Sequence, residues 1–351
     1  MPNNRRYEEA EVPGMADDDI PVTLLTGFLG SGKTSLLSRA LREPRLGMTA
    51  VLVNELGDVA LDHELVTARE EALIRTTTGC LCCTMRGDIR STLSDLWIRR
   101  ASGTVPPFAR VIVETTGLAD PAPALHTLMT DGFLTRNYWF GGVVTTVDAV
   151  NGGATLKRYF ENRRQVAVAD RIVLTKTDLA TGRMALAADA AIAPQIRSLN
   201  PAVPILDGNA STLDLATLFD AGAYDPHTQS VRAEHWLGDT GAFATQPSHD
   251  GDIETYCLIR GTPISGLGLT LALEIIASQR GEDLLRVKGI VHLREQPDHP
   301  VVIHGVQHLF HTPVTLDAWP SDDRRTRIVF ITRGIPKSWI ERILDALDQP
   351  Q

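Results

Sequence analysis

The sequence predicts an α/β protein with a mostly parallel sheet flanked by helices, followed by a smaller C-terminal α+β domain. Two observations lead to this prediction. Short apolar, β-branched runs alternate with helical patterns over roughly the first two-thirds of the 351 residues. After residue 252 the rhythm changes to separated strands and two helices.

Six strands are predicted in the first part of the chain, at Pro21–Thr26, Thr49–Asn54, Arg110–Glu114, Gly142–Val147, Arg171–Thr175 and Val203–Asp207. Runs such as Val51-Leu52-Val53 are apolar throughout, which is typical of parallel strands buried on both faces. Helices are predicted at Thr34–Leu41, Ile89–Arg100 and Gly182–Asn200. The last should end before Pro201, because the residue before a proline disfavours the helical conformation.

The domain organisation follows from composition. Residues 1–19 are polar and lack the apolar core of a signal peptide, so we expect a flexible tail. The nucleotide-binding domain is expected at 20–207 and a Gly-, Asp-, Thr- and His-rich linker at 208–251. The α+β domain at 252–351 is predicted to contain strand Asp252–Arg260, helix Gly266–Gln279, strands near Leu284–Leu293, Val301–Ile303 and Arg327–Thr332, and helix Lys337–Asp348.

Bulk properties exclude several function classes. The net charge of −9 argues against a general binder of nucleic acid or anionic membranes. No apolar stretch reaches the roughly 20 residues that span a bilayer. Three of the four cysteines crowd into Cys80-Leu81-Cys82-Cys83, where they cannot form a framework of loop-closing disulfides. A cytoplasmic location, where thiols stay reduced, is therefore expected.

A phosphate-binding pattern, Gly27-x-x-x-x-Gly32-Lys33-Thr34, joins the first strand to the first helix. This Walker A pattern in its required setting identifies the fold as a P-loop NTPase. Lys33 is expected to reach the β- and γ-phosphates, and the Thr34 hydroxyl to bind Mg²⁺. The other expected nucleotide contacts in this segment are Gly27, Gly30, Ser31, Gly32 and Ser35. The alternative is a glycine-rich turn that merely joins strand to helix.

A second segment, Val111-Ile112-Val113-Glu114-Thr115-Thr116-Gly117, ends an apolar strand with a carboxylate. Glu114 is expected to hold Mg²⁺ through a water, and the Gly117 N–H to meet the γ-phosphate. Together with Lys33 and Thr34, Glu114 completes the expected catalytic set. The alternative is a strand-end glutamate in an ordinary turn.

The base is indicated by Thr175-Lys176-Thr177-Asp178, which follows a late strand. A carboxylate accepts hydrogen bonds from the ring N–H and the amine of guanine, whereas adenine presents a lone pair there. Asp178 is therefore the expected guanine reader, with the Lys176 stem packed over the ring and Thr175 beside it. The chain is thus predicted to be a GTPase.

These segments resemble the CobW-like GTPases, metallochaperones related to the urease and hydrogenase nickel-insertion GTPases. The resemblance is carried by Gly27–Thr34, Val53-Asn54-Glu55-Leu56-Gly57, Gly79–Cys83, Glu114–Pro121 and Thr175–Asp178, and later by Arg286-Val287-Lys288-Gly289 and Arg327–Thr332. It covers most of the chain from Pro21 onward. Thr175 stands where the family usually has Asn, so one base contact is expected to be weaker, and Leu56 replaces a Phe.

The cysteine cluster predicts a metal site. Three thiols within four residues can converge on one soft cation, and Zn²⁺ accepts tetrahedral thiolate ligation. Co²⁺ and Ni²⁺ fit the same ligands, so the residues leave the metal open. The resemblance implies Glu55 as the fourth ligand beside Cys80, Cys82 and Cys83. Buried small cysteines packing a loop are the alternative.

Other candidate ligands are weaker. Cys257 stands alone in a strand pattern, which favours a core position. His292, His299, His304, His308 and His311 fall within twenty residues, but their spacing through several strands favours scattered surface and core positions over a metal-collecting tract.

The function expected is a GTP-hydrolysing metallochaperone that couples its GTP or GDP state to metal transfer to a client metalloprotein. No Gln or Arg is placed to position the attacking water, so intrinsic hydrolysis should be slow and accelerated by a client or a homodimer contact. Two alternatives stay open: a metal sensor or metalloenzyme activator with weak GTPase activity, and a P-loop small-molecule kinase.

Overall fold

The computed structural model describes residues 20–53, 74–75, 81–84, 88–179, 192–201, 203–220, 248–250, 253–310 and 313–348. These residues form two β-sheets with accompanying helices. Among the described helices, none combines the length and the apolar character needed to cross a membrane. The tail expected at 1–19 lies outside the described residues.

The first sheet has eight strands in the order β3-β4-β2-β5-β1-β6-β7-β8. Every neighbouring pair is parallel except β3 with β4. The strands are β1 Ile20–Gly27, β2 Thr49–Val53, β3 Ile74–Arg75, β4 Leu81–Thr84, β5 Arg110–Glu114, β6 Tyr138–Asp148, β7 Arg171–Thr175 and β8 Ile205–Asp207. Because the central strands are covered on both faces, residues such as Val22, Leu24 and Leu25 are fully buried.

Helices cover both faces of this sheet. They are α1 Lys33–Ala40, α2 Ile89–Ala101, α3 Ala122–Thr130, α4 Leu134–Asn137, α5 Gly152–Arg158, α6 Phe160–Ala167, α7 over 192–199 and α8 Leu215–Asp220, with a 3₁₀ turn at Pro44–Leu46. One core cluster gathers buried side chains from α1, β1 and α8, including Leu36, Leu25 and Phe219. The α8 helix falls inside the segment expected to be a linker.

The second sheet has seven strands and is antiparallel throughout its described pairs. Its order is β13-β12-β11-β15-β10-β9, with β14 paired to β12. The strands are β9 Ser248–Asp250, β10 Ile253–Arg260, β11 Leu284–Val291, β12 Val301–Val306, β13 Leu309–Phe310, β14 Val314–Thr315 and β15 Thr326–Arg333. Helices α9 Gly266–Arg280 and α10 Lys337–Leu347 contact each other, and a 3₁₀ turn lies at Gly281–Asp283.

The two sheets meet around one buried carboxylate, Asp170, immediately before β7. Arg286 on β11 donates from Nη2 to Asp170 Oδ1 at 2.6 Å and from Nη1 to the Val168 carbonyl at 2.9 Å. Lys288, two residues further along β11, lies with Nζ 2.5 Å from the same Oδ1. The second carboxylate oxygen accepts from the Val143 N–H of β6 at 2.9 Å.

The predicted fold class, a mostly parallel P-loop sheet followed by an α+β unit, is confirmed. The predicted strands agree with the observed ones apart from their ends, since β6 begins at Tyr138 and β8 at Ile205. Of the helix predicted at Gly182–Asn200, residues 192–199 are described and helical. Helices α3 to α6 and α8 were not predicted, nor were the short strands β3, β4, β9, β13 and β14.

Candidate functional site

The loop after β1 is closed too tightly for any side chain at Gly27. Its φ of +143° favours glycine, and an added Cβ would lie 2.4 Å from Thr146 Oγ1 on β6. The Ser31 hydroxyl hydrogen-bonds that same Thr146 Oγ1 at 2.6 Å. The phosphate loop is therefore tied to the end of β6, with Gly30 exposed at its tip.

Lys33 begins α1 and folds back across the loop. Its Nζ donates to the carbonyls of Gly27 at 3.0 Å and Phe28 at 3.3 Å. Burial lowers the pKa of Lys33, and the nearby Glu114 carboxylate partly opposes that shift. A mostly buried ammonium group whose hydrogen bonds go to backbone carbonyls favours an added anion, such as a phosphate.

Thr34 and Glu114 meet although 80 residues separate them in the sequence. The Thr34 hydroxyl donates to Glu114 Oε1 at 2.7 Å. Glu114 ends β5, which lies between β1 and β2, and it is buried. A hydroxyl and a carboxylate at this separation are the hard oxygen donors that Mg²⁺ prefers, so the pair fits a magnesium ion bound with nucleotide phosphates.

The turn after Glu114 lies directly against the phosphate loop. A Cβ added at Gly117 would be 2.6 Å from the Leu29 backbone nitrogen. The Thr115 hydroxyl donates to Thr26 Oγ1 at 2.8 Å, which joins the same turn to β1. Gly117 therefore lies beside the loop, where its small size allows a close backbone approach.

Thr175, at the end of β7, also contacts the phosphate loop. Its hydroxyl donates to the Ser31 carbonyl at 2.7 Å. The next residue, Lys176, has a left-handed φ of +58°, and its Nζ donates to Asp148 Oδ2 at 2.8 Å. Asp148 also accepts from the Val150 and Asn151 N–H groups, so it fixes the loop after β6 as well as the lysine.

Asp178 is exposed, and its carboxylate is held by a residue beyond β8. Asn209 donates from Nδ2 to Asp178 Oδ1 at 2.6 Å and to Thr177 Oγ1 at 3.0 Å. Neither Asn209 nor Asp148 was predicted as a site residue. Each follows or ends a parallel strand, and that position is the signal that could have indicated them.

A cleft of about 440 Å³ opens beside the phosphate loop, between the ends of β1, β6 and β7. Its lining is mostly polar and comprises Phe28, Leu29, Gly30, Ser31, Thr146, Val147, Asp148, Asn151, Thr155, Asn162 and Lys176. Of the predicted nucleotide contacts, Gly30, Ser31 and Lys176 line this cleft. Ser35 is exposed in the first turn of α1 and does not line it.

The predicted transition-metal ligands fall largely outside the described residues. Cys80 and Glu55 are outside them, and for Cys82 and Cys83 only the backbone is described. That backbone belongs to strand β4 and not to the expected loop, with Cys82 paired to Val51 of β2. Among the side chains that the structure does describe, no group of three or more His, Cys, Asp or Glu residues is placed to hold a metal ion.

The C-terminal candidates are separated from one another. Cys257 is a buried, free thiol on β10, and burial raises its pKa to about 11. His304 is buried on β12, whereas His308 is exposed and hydrogen-bonded to the Ala277 carbonyl. His292 packs edge-on against Trp319. His311 lies outside the described residues.

Two family models match the chain. One describes the CobW/HypB/UreG nucleotide-binding domain and covers residues 21–207. The other describes the cobalamin synthesis protein cobW C-terminal domain and covers residues 253–348.

Full-length similarity extends to named relatives. The zinc chaperone YjiA of Escherichia coli (strain K12) is 29% identical over 324 residues, which cover 92% of this chain and 96% of YjiA. The zinc chaperone CobW of Pseudomonas aeruginosa is 26% identical over 374 residues, covering 97% and 94% of the two chains. Zinc-regulated GTPase metalloprotein activator 1 of Schizosaccharomyces pombe is 35% identical over 216 residues, covering 59% of this chain and 50% of the relative.

Solved structures of one relative have the same fold. The Zn(II)-bound YjiA GTPase of E. coli superposes with a TM-score of 0.73 at 27% identity, covering 95% of this chain and all of that one. A Zn(II)-bound triple mutant of YjiA, in which one glutamate and two cysteines are replaced by alanine, gives a TM-score of 0.74 at 26% identity over the same shares.

Proposed function

Because this chain belongs to the CobW/HypB/UreG family and carries the cobW C-terminal domain, we propose that it is a GTPase that handles a metal ion for a client metalloprotein. The relatives are described as zinc chaperones and zinc-regulated GTPase metalloprotein activators, which makes zinc the first candidate metal. GTP is the substrate in this proposal, and zinc is the cargo.

One observation carries the GTPase part of the proposal. Two segments that are far from the phosphate loop in the sequence converge on it, since Glu114 accepts from Thr34 at 2.7 Å and Thr175 donates to Ser31 at 2.7 Å. This convergence brings a cation, a pair of magnesium-type oxygen ligands and the base-reading strand to one edge of a parallel sheet. Ligands of such sheets bind at that edge.

Each residue has a distinct task in the proposed reaction. Lys33 leaves the Gly27 and Phe28 carbonyls and pairs with the β- and γ-phosphate oxygens. Thr34 and Glu114 would hold a magnesium ion, which would neutralise charge that develops on the phosphate oxygens. Gly117 presents its N–H to the γ-phosphate. A backbone N–H and a lysine stabilise transferring phosphoryl oxygens without moving a proton.

Guanine selection is assigned to Asp178. The hydrogen bond from Asn209 to Oδ1 holds the Asp178 carboxylate in place, and the carboxylate accepts from the guanine ring N–H and amine. Because the Thr175 hydroxyl donates to the Ser31 carbonyl, we assign Thr175 to holding the phosphate loop. The stem of Lys176 covers the ring, and Asp148 holds its ammonium group.

The metal part of the proposal rests on the neighbours of β4. Val53 at the end of β2 pairs with both Thr84 of β4 and Glu114 of β5. The strand that contains Cys82 and Cys83 therefore ends beside β2, which leads to Glu55, and β2 separates it from Glu114 at the end of β5. We propose that Cys80, Cys82, Cys83 and Glu55 bind the metal, and that loss of the γ-phosphate changes their geometry.

The size of this coupling is bounded by linkage. A switch from mostly metal-bound to mostly released requires metal affinities that differ by about 10⁴ between the two nucleotide states, or about 5.5 kcal/mol. By reciprocity, zinc must tighten binding of GTP, relative to GDP, by the same factor. A smaller ratio of metal affinities between the two nucleotide states would release only part of the bound metal.

A titration tests both parts of the proposal together. Calorimetry of the full chain with a non-hydrolysable GTP analogue and with ATP, each with and without zinc, should give micromolar or tighter binding for the GTP analogue only. Zinc should tighten that binding. Preference for ATP would indicate a small-molecule kinase instead, and GTP-analogue affinities identical with and without zinc would refute the coupling.

Matched cysteine variants locate the metal. Cys82→Ala should abolish the nucleotide-dependent part of zinc binding, whereas Cys257→Ala, which removes a buried thiol from the other sheet, should leave it unchanged. The nucleotide-dependent part is the correct readout, because a YjiA variant lacking one glutamate and two cysteines is still described as Zn(II)-bound. Repeating the analysis with Co²⁺ and Ni²⁺ ranks the candidate metals.

A further inference from the structure

A buried glutamine on α6 contacts the turn that follows Glu114. Gln165 has no solvent exposure, and its Nε2 donates to the carbonyls of Gly117 at 3.2 Å and Ala119 at 3.0 Å. These carbonyls belong to the turn closed by the Ala119 N–H and the Thr116 carbonyl at 3.1 Å. One side chain therefore holds two carbonyls of this turn, one on each side of Leu118.

The contact chemistry fixes the orientation of the amide. Both partners on the turn are acceptors, so only the NH₂ group of Gln165 can face them. A hydrogen bond from the Thr145 hydroxyl of β6 to the Gln165 main-chain carbonyl, at 2.9 Å, anchors this part of the helix. Arg164, the preceding residue of α6, pairs with Asp120 at the end of the same turn. Helix α6 thus holds the turn at two points.

The turn is the segment that senses the γ-phosphate in the proposed function. Gly117 is pressed against the Leu29 backbone of the phosphate loop, so a small rotation of the turn would move the Gly117 N–H away from the phosphate position. A hydrogen-bond donor that stabilises phosphate oxygens must be preorganised to contribute fully. Because Gln165 fixes the Gly117 and Ala119 carbonyls, the peptide groups that contain these carbonyls cannot rotate freely.

We propose that Gln165 is a positioning residue that keeps the Gly117 turn in the conformation that accepts the γ-phosphate. This inference rests on the proposed GTPase function, and it makes a more specific claim. The contribution of Gln165 should appear with GTP and be absent with GDP, because GDP has no γ-phosphate for the turn to meet. A purely structural glutamine would affect both nucleotides equally.

Gln165→Met is the primary test, because methionine keeps the length and volume but removes both donors. We expect binding of a non-hydrolysable GTP analogue to weaken about tenfold, since two buried carbonyls lose their partner, while GDP binding changes less than about twofold. The turnover number for GTP should fall by a similar factor. Calorimetry and a phosphate-release assay on the full chain measure these quantities.

The matched control is Thr255→Val, which removes a buried hydrogen bond from a threonine hydroxyl on β10 to the Leu199 carbonyl at 2.8 Å. It leaves α6 and its contacts with the turn intact, so both nucleotide affinities should stay as in the wild type. Parallel losses of GTP and GDP binding in Gln165→Met, or no loss of either, would overturn the positioning role. Absence of GTP binding by the wild-type chain would instead refute the proposed function itself.

A second variant covers the case in which Gln165→Met does not fold. Gln165→Glu keeps the shape but sets a carboxylate against two carbonyls, and its protonated form regains one donor. The measured quantity is the affinity for the GTP analogue divided by the affinity for GDP. In the variant this ratio should rise as the pH falls, whereas in the wild type it should not. A ratio that follows the wild-type pH profile would contradict the proposal.

Discussion

Asn209 illustrates how residues outside the motifs support those inside them. It donates to Asp178 and Thr177, and its own backbone N–H donates to Asp207 Oδ1 at 2.9 Å, which fixes the loop after β8. In the proposed reading of guanine by Asp178, the carboxylate must be held in one orientation. The hydrogen bond from Asn209 restrains it in this way.

Asn209→Ala should therefore weaken GTP binding by about threefold to tenfold, the range expected for one partly exposed hydrogen bond. ATP binding gains nothing from Asp178 and should not change. The selectivity for GTP over ATP should therefore fall together with the affinity for GTP. Competition titrations against a fluorescent GTP analogue measure both quantities. Thr217→Ala, on the nearby helix α8, is the control, and equal weakening of GTP and ATP binding would contradict the role.

The motif residues could be predicted from the sequence because each combines a recognisable pattern with the end of an apolar strand. Lys33, Thr34, Glu114 and Thr175 lie at one edge of the sheet, as that reasoning requires. Their supporting residues could not be predicted in the same way. The partner of Asp178 follows 31 residues later, and no local pattern links the two.

At the scale of elements, strands were easier to predict than helices. The buried strands appear in the sequence as uninterrupted apolar runs, but α6 contains Asn162-Arg163-Arg164-Gln165 and has no apolar stripe. It is nevertheless packed, with Asn162 and Gln165 among its buried residues. A helix that buries polar side chains for hydrogen bonding does not show the periodicity on which the prediction depends.

Helix α2 begins shortly after the cysteine-bearing strand β4, and its start depends on one side chain. Asp88 precedes the helix and accepts from the Ser91 N–H at 2.7 Å. An N-cap carboxylate satisfies a helix donor and interacts favourably with the positive end of the helix dipole. Because the cap lies between β4 and α2, it stabilises the helix end nearest to the proposed metal ligands.

Asp88→Ala should lower the free energy of unfolding by about 1 kcal/mol, measured by urea denaturation. Asp88→Asn should lower the free energy of unfolding by only a few tenths of a kcal/mol, since Asn is an equally good cap. The control is Asp95→Ala, which removes only a surface ion pair with Arg99 in the same helix and should change stability by less than about 0.5 kcal/mol. A cost for Asp95→Ala as large as that for Asp88→Ala would show that charge, and not capping, matters.

At the scale of the whole molecule, strand β7 connects the nucleotide site with the second sheet. One end leads to Thr175 and Asp178, and the other begins after Asp170, whose carboxylate is enclosed by Arg286, Lys288 and the Val143 N–H. The neighbouring cations hold the pKa of Asp170 far below its usual range despite the opposing effect of burial. Arg286 and Lys288 belong to the Arg-Val-Lys-Gly segment noted in the sequence, for which the structure now gives a task.

This junction makes a testable contribution to the pH dependence of stability. Burial lowers the pKa of Lys288 from its ordinary 10.5 to about 8, because the raising effect of Asp170 is outweighed by burial and by the charge of Arg286. Between those two values the unfolded chain binds a proton at Lys288 that the folded chain has released. The free energy of unfolding must therefore rise with pH in this window, by at most about 1.4 kcal/mol per pH unit.

Lys288→Met should remove that rise. Urea denaturation of the wild type and the variant from pH 7 to 9.5 should give a difference in unfolding free energy that shifts steadily in favour of the wild type above about pH 8. Subtracting the unfolding free energy of the variant from that of the wild type cancels the contributions of tyrosines and other groups that titrate in both proteins. Lys337→Met is the control, because Lys337 is only half-buried beside Glu341 on α10 and should show no such trend. If the difference in unfolding free energy between the wild type and Lys288→Met stays constant from pH 7 to 9.5, Lys288 keeps its ordinary pKa. Asp170 would then pair with two fully charged residues, Arg286 and Lys288, at the junction of the two sheets.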